Sequence, residues 1–102
     1  MSEDVSDIFE GFDNSDSELI SHFDQCYVQN ILYMWTSAEL ESIFNFFLYI
    51  YKDLKKYKFA LQVARKYYYN EDWVYYYSGK YYQAKHNYPF AIKNYTKFLY
   101  ES

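Results

Sequence analysis

Glycine, proline and cysteine are all scarce: the 102 residues hold only two, one and one of them. Two glycines leave almost no material for a loop that cradles phosphate through backbone amides. The lone Cys26 cannot close an internal disulfide, and the lone Pro89 leaves helices elsewhere uninterrupted. Long apolar runs are missing as well. The longest, 43–51, is broken by Asn45 and falls far short of the roughly 20 residues a membrane span needs. Acidic opening residues read against a secretory signal, so the expectation is a soluble, cytoplasmic protein. Basic residues are absent from the whole first half. Residues 1–51 carry ten acids and no Lys or Arg, whereas residues 52–102 carry ten Lys and Arg against four acids. The net charge of -4 therefore conceals an acidic half and a basic half, which face each other or different partners.

What is abundant is aromatic. Hydrophobic residues make up 51% of the chain and aromatics 26%, with 16 Tyr and nine Phe against two Trp. Such side chains pack a core and still offer hydroxyls to water or to a partner. Residues 1–16 read as an acidic arm, in which Glu3, Asp4, Asp7, Glu10, Asp13 and Asp16 alternate with Val5, Ile8, Phe9 and Phe12. Two readings of it stand: a solvated, disordered tail, or a segment that docks its apolar edge in a groove. After the arm, apolar residues recur every three or four positions, so an all-α domain is expected over 17–102.

A first helix is expected from about Glu18 to Trp35, with Leu19, Ile20, Phe23, Tyr27, Ile31, Leu32 and Met34 on its apolar face. A second starts at the capping box Thr36-Ser37-Ala38-Glu39 and runs to about Asp53. The third spans about Tyr57 to Tyr69, and Asn70-Glu71-Asp72 makes a turn. A fourth spans about Trp73 to Lys85, and Tyr88-Pro89 opens a fifth that reaches about Tyr100.

An internal repeat is the strongest signal. Lys56-Tyr57-Lys58-Phe59-Ala60-Leu61-Gln62 recurs as Asn87-Tyr88-Pro89-Phe90-Ala91-Ile92-Lys93, and at the same offset Phe44 matches Tyr75, Leu48 matches Gly79 and Tyr51 matches Tyr82. Helix pairs thus repeat, at about 39–69 and 72–100. Ala60 and Ala91 admit close helix approach, while Tyr51, Tyr57, Tyr82 and Tyr88 wedge the turns. In its second copy, Tyr75, Tyr76, Gly79, Tyr82, Tyr88, Ala91, Ile92, Tyr95, Lys97 and Leu99 stand where tetratricopeptide repeats place their signature residues, and the chain resembles that family. The first copy keeps Phe44, Tyr51, Tyr57, Ala60, Leu61 and Ala64, with Leu48 at the usual glycine. The resemblance implies antiparallel helix pairs stacked as a short solenoid. Its concave groove would be lined by Ser42, Asn45, Tyr49 and Lys52 from one helix and Trp73, Tyr76, Lys80 and Gln83 from the next.

No catalytic constellation emerges. His22, Asp24 and Cys26 alternate around a helix and point apart, with His86 far along the chain, so neither a metal site nor a nucleophile is expected. No cofactor is expected, and we expect no enzyme. Lys52, Lys55, Lys56, Lys58, Arg65, Lys66, Lys80 and Lys85 interleave with tyrosines, as in modules that stack on RNA, but the overall pI of about 5.0 argues against nucleic acid. The expectation is a protein-binding chaperone or adaptor, and the alternative is a structural repeat subunit of a larger complex. Within the repeat superfamily, residues 36–100 resemble the small chaperones of type III secretion needle subunits. They share a pair closing with Tyr57, Ala60-Leu61-Gln62 and Lys66, an acidic turn, and Trp73 opening the final pair. That resemblance implies a heterocomplex in which the amphipathic helix of a needle subunit is held in the groove beside a second small helical chaperone. The lysine and asparagine pattern by which co-chaperone members clamp a terminal carboxylate is absent.

Overall fold

The computed structural model describes residues 14–100. Among them five α-helices form and no strand, which is the all-α class the periodicity predicts. Most of the expected acidic arm, up to Asp13, lies outside the described residues, and Asn14 to Asp16 already belong to the first helix. The chain divides after Ile31 into two units.

In the first unit, α1 spans Asn14–Gln29. Its buried positions, Ile20, Phe23 and Cys26, recur every third residue along one face. The Cys26 Sγ lies 3.5 Å from His22 Nε2, one turn earlier, so these two share a face rather than pointing apart as expected, since residues four apart on a helix are neighbours. The helix does not reach Trp35 as expected. Asn30 takes a left-handed φ of 57°, and the Ile31 N–H turns back onto the Cys26 carbonyl at 2.8 Å, which satisfies an end carbonyl and stops the helix.

The second unit begins with a non-helical segment whose carbonyls are used by tyrosines. Tyr67 Oη donates to the Leu32 carbonyl and Tyr68 Oη to the Trp35 carbonyl, each at 2.7 Å. Helix α2, Ser37–Asn45, starts at the expected capping box. The Thr36 N–H donates to Glu39 Oε1 at 2.9 Å, and the Glu39 N–H donates to Thr36 Oγ1 at 3.1 Å. The helix then widens into a π turn, Phe46–Ile50, which the apolar spacing did not reveal. Lys52 adopts a left-handed φ of 54°, and Asp53 caps α3, Leu54–Tyr67, through the amides of Lys55 and Lys56. Next come α4, Trp73–Ala84, and α5, Tyr88–Tyr100. Between them His86 repeats the left-handed turn with φ 61°, and the Asn87 N–H closes on the Tyr82 carbonyl at 2.8 Å.

Each neighbouring pair is antiparallel. Lys56 lies over Phe47 while Tyr57 meets Phe44, and across the last pair Tyr82 meets Phe90 while Tyr76 meets Phe98. The core centres on Phe44, whose ring stacks on Tyr77 at 4.5 Å and tilts against Tyr57 at 4.9 Å, so three helices converge there. Tyr57 Oη donates to the Tyr77 carbonyl at 2.7 Å, and Arg65 reaches in to the buried Ser78 hydroxyl at 3.0 Å. No buried side-chain polar atom among the described residues lacks a partner.

The folded repeat is one helical turn out of step with the recurring heptapeptide. Tyr57 lies one turn inside α3, whereas Tyr88 is the first residue of α5. The burial pattern aligns instead through the turns, Lys52 with His86 and Asp53 with Asn87. Leu40, Ile43, Phe44 and Phe47 then correspond to Val74, Tyr77, Ser78 and Tyr81, all eight buried. Tyr57 corresponds to the equally buried Ala91. That spacing is 34 positions, as in Lys52 to His86. A contiguous match in sequence aligns side-chain types, but the turn decides which of them face inward.

Candidate partner-binding cleft

The first helices of the two pairs, α2 and α4, run parallel. Glu41 accepts from Tyr77 Oη at 3.3 Å, and further along Lys80 Nζ donates to Tyr49 Oη at 3.0 Å. At the start of both helices, an open cleft of about 320 Å³ is lined by Ser37, Ala38, Glu41, Trp73 and Tyr77. The Trp73 ring is held from behind by Tyr68 at 5.3 Å and from the side by Tyr77 at 6.2 Å, which leaves it half-buried at the cleft wall.

A second cluster forms where α4 meets the π turn. The Lys80 ammonium lies 5.8 Å from the centre of the Tyr49 ring and 5.2 Å from that of Tyr76. Tyr76 is also braced by Phe98 at 5.3 Å and Tyr95 at 6.2 Å. Tyr95 Oη donates to Gln83 Oε1 at 2.8 Å. Hydrogen bonding to the Tyr49 oxygen raises the Lys80 pKa above the ordinary lysine value, aided by Tyr76 and opposed by partial burial. Burial raises the Tyr95 pKa, with the nearby Lys80 charge opposing it. Burial also raises Tyr77, and the Glu41 charge adds to that.

Of the groove residues expected from the repeat pattern, Tyr49, Tyr76, Lys80 and Gln83 thus meet in one cluster, and Trp73 stands in the other. Ser42 is half-buried, while Asn45 and Lys52 are exposed and take no part in these contacts. Glu41 and Tyr77 were not named as site residues by sequence, and Tyr95 was named only as a signature residue of the repeat. A Cβ built on Gly79 would stand 2.6 Å from the Tyr95 ring, so the glycine admits it.

Among the residues expected to pack the repeat, Tyr57, Ala60, Gly79 and Ala91 are buried and Tyr82 is half-buried against Phe90. Tyr51 and Tyr88 do not wedge a turn. Tyr51 is 68% exposed beyond the π turn, with its ring against Phe46 at 4.8 Å and Phe47 at 6.4 Å, both within its own helical segment. Tyr88, at the very start of α5, is 52% exposed and pairs with His86 Nδ1 at 2.9 Å.

Buried Cys26 has its thiol pKa raised by desolvation, which favours the unreactive protonated form. Among the described residues no group of three or more His, Cys, Asp and Glu is placed to hold a metal ion. None of their helices is long and apolar enough to cross a membrane. No family model, curated protein or solved structure matches the chain.

Proposed function

We propose that this protein is a non-enzymatic binding module that holds an amphipathic helix of a partner protein in the cleft between α2 and α4, as a chaperone or adaptor. The observation that carries this reading is a pair of parallel helices with aromatic side chains left partly open, Trp73 at one end and Tyr49 and Tyr76 at the other. Rings of this kind, braced from behind and open in front, give contact area at low entropy cost, and truncating such anchors costs about 2 kcal/mol or more. The 34-position spacing of burial is further support, because it is the period of tetratricopeptide repeats. The specific form we favour is a cytoplasmic chaperone of a secretion needle subunit. Covering the subunit's apolar helix hides, at roughly 25 cal/mol per Å², the surface that would drive its polymerisation.

A second reading, a structural subunit that stacks through its last helix, is favoured by the outer side of α5, where Ile92, Leu99 and Tyr100 are exposed. Site-specific photo-crosslinking separates the two. With the genomic neighbours co-expressed, a crosslinker at Tyr76 gives a stoichiometric adduct with a small helical protein if the cleft is the binding surface, while one at exposed Lys58 gives none. Adducts formed only from Ile92 would overturn the cleft reading in favour of the structural one.

A further inference from the structure

Lys80 is half-buried, yet among the described residues no carboxylate pairs with it. Its ammonium donates to the Tyr49 oxygen, so the Tyr49 O–H proton must point elsewhere, and no acceptor for it is found among the described residues. The Tyr76 ring lies beside the same ammonium, with its centre 5.2 Å from Nζ, and its hydroxyl has no hydrogen-bond acceptor among the described residues, so it likewise has a proton to give. Tyr95, by contrast, is already engaged with Gln83. Three donors and one positive charge thus converge where α4 meets the π turn, without an acceptor. We propose that Lys80, Tyr49 and Tyr76 form a receiving site for a side-chain carboxylate, a single Glu or Asp at the border of the apolar face of the partner's helix.

This inference rests on the α2–α4 cleft being the binding surface. The chemistry favours a carboxylate over a phosphate group. One ammonium and two neutral phenols match a single negative charge, whereas a dianion calls for the forked donors of arginine. The site also gives the bound helix a direction. Glu41 stands at the other end, with Tyr77 as its hydrogen-bond donor, and would repel an acid placed there. The second half of the chain is basic, with ten Lys and Arg against three acids over residues 52–100, which favours an acidic partner segment.

The test uses two fluorescein-labelled, designed amphipathic peptides of Leu, Ala and Gln, identical except that one carries Glu and the other Gln along the border of the apolar face. Fluorescence anisotropy with the full chain should show the Glu peptide binding about tenfold more tightly at low salt. Lys80→Gln should abolish that preference. Tyr49→Phe, a change at an exposed residue that removes only the hydroxyl, should reduce it while leaving the circular dichroism unchanged. Equal binding of both peptides by the unmodified protein overturns the carboxylate site and leaves the cleft reading standing. Preference that survives Lys80→Gln also overturns the site. Binding of neither peptide, at concentrations up to about 1 mM, overturns the cleft reading and the site with it.

Discussion

The two helix pairs of the second unit bury the same positions with different residues. In the first pair Leu40, Ile43, Phe44 and Phe47 fill the inner face, and the second sets Val74, Tyr77, Ser78 and Tyr81 there. The closing helices differ more. Tyr57, Ala60, Leu61, Val63 and Ala64 of α3 are all buried, whereas their counterparts in α5 are Ala91, Asn94, Tyr95, Lys97 and Phe98, of which only Ala91 is. Helix α3 packs against both α2 and α4, and α5 packs against α4. A repeat therefore carries its address in polarity. Where a neighbouring helix covers the position the residue is Val63, and where it does not the residue is Lys97, with its ammonium 5.4 Å from the Tyr75 ring.

Exchanging those two residues should break the comparison most visibly. Val63→Lys places a charge at a position with no exposure and should cost about 4 kcal/mol in urea unfolding. Lys97→Val gives up a cation–ring contact between two half-buried side chains and should cost less than about 1 kcal/mol. Equal losses would mean that α5 is covered as fully as α3. The next effect concerns glycine. Gly79→Ala drives a methyl into the Tyr95 ring and should destabilise by about 2 kcal/mol, despite alanine's better helix propensity. At the corresponding position of α2, exposed Asn45→Ala should instead stabilise by about 0.5 kcal/mol. The cost at Gly79 should largely vanish in a Tyr95→Ala background, a coupling that a double-mutant cycle measures directly.

Hydroxyl removal sharpens the contrast between the pairs. Tyr57→Phe deletes the buried donor to the Tyr77 carbonyl and should cost about 1 to 1.5 kcal/mol, while Tyr88→Phe, which removes only the exposed pairing with His86, should cost less than about 0.5 kcal/mol. The same burial predicts alkaline sensitivity. Desolvation raises the Tyr57 pKa well above its ordinary value. The native state therefore keeps a proton that the unfolded chain loses above about pH 10, and stability is full below that pH and falls as pH rises beyond it. Unfolding midpoints measured from pH 8 to 11 should decline steeply only above 10, and Tyr57→Phe should flatten the decline.

Much of this was legible because local chemistry announces itself. The capping box at Thr36 and Glu39 and the Tyr88-Pro89 start of α5 sit where the residues place them. Apolar spacing assigned Leu40, Ile43, Phe44, Phe47, Leu48 and Tyr51 to one buried stripe, of which the first four are buried, Leu48 is half-buried and Tyr51, beyond the π turn, is exposed. The register of the repeat was not legible, because the recurring heptapeptide enters α3 and α5 at different turns. Nor was the π turn at 46–50, since one widened turn leaves the apolar periodicity nearly intact. In the Lys80 cluster, Tyr49, Tyr76 and Lys80 were named as groove residues from the repeat pattern. Tyr95 was named only as a repeat signature and Glu41 not as a site residue, since each is brought in by a partner helix whose azimuth depends on long-range packing.

Left-handed backbone gives the smallest contrast and the most direct one. Lys52 and His86 end equivalent helices with φ of 54° and 61°, at positions where glycine is the usual choice. In this chain one of the two glycines is instead committed to the contact with Tyr95. A side chain with a Cβ pays roughly 1 kcal/mol or slightly more for that conformation, and histidine tolerates it better than lysine. Lys52→Gly should therefore raise stability by about 1 kcal/mol, less the entropy that glycine adds to the unfolded chain. His86→Gly should gain less, because it also loses the hydrogen bond to Tyr88. The order of the two gains in thermal unfolding is the informative result. If His86→Gly gains as much as Lys52→Gly, the exposed pairing with Tyr88 contributes nothing, and the two turns differ only in sequence.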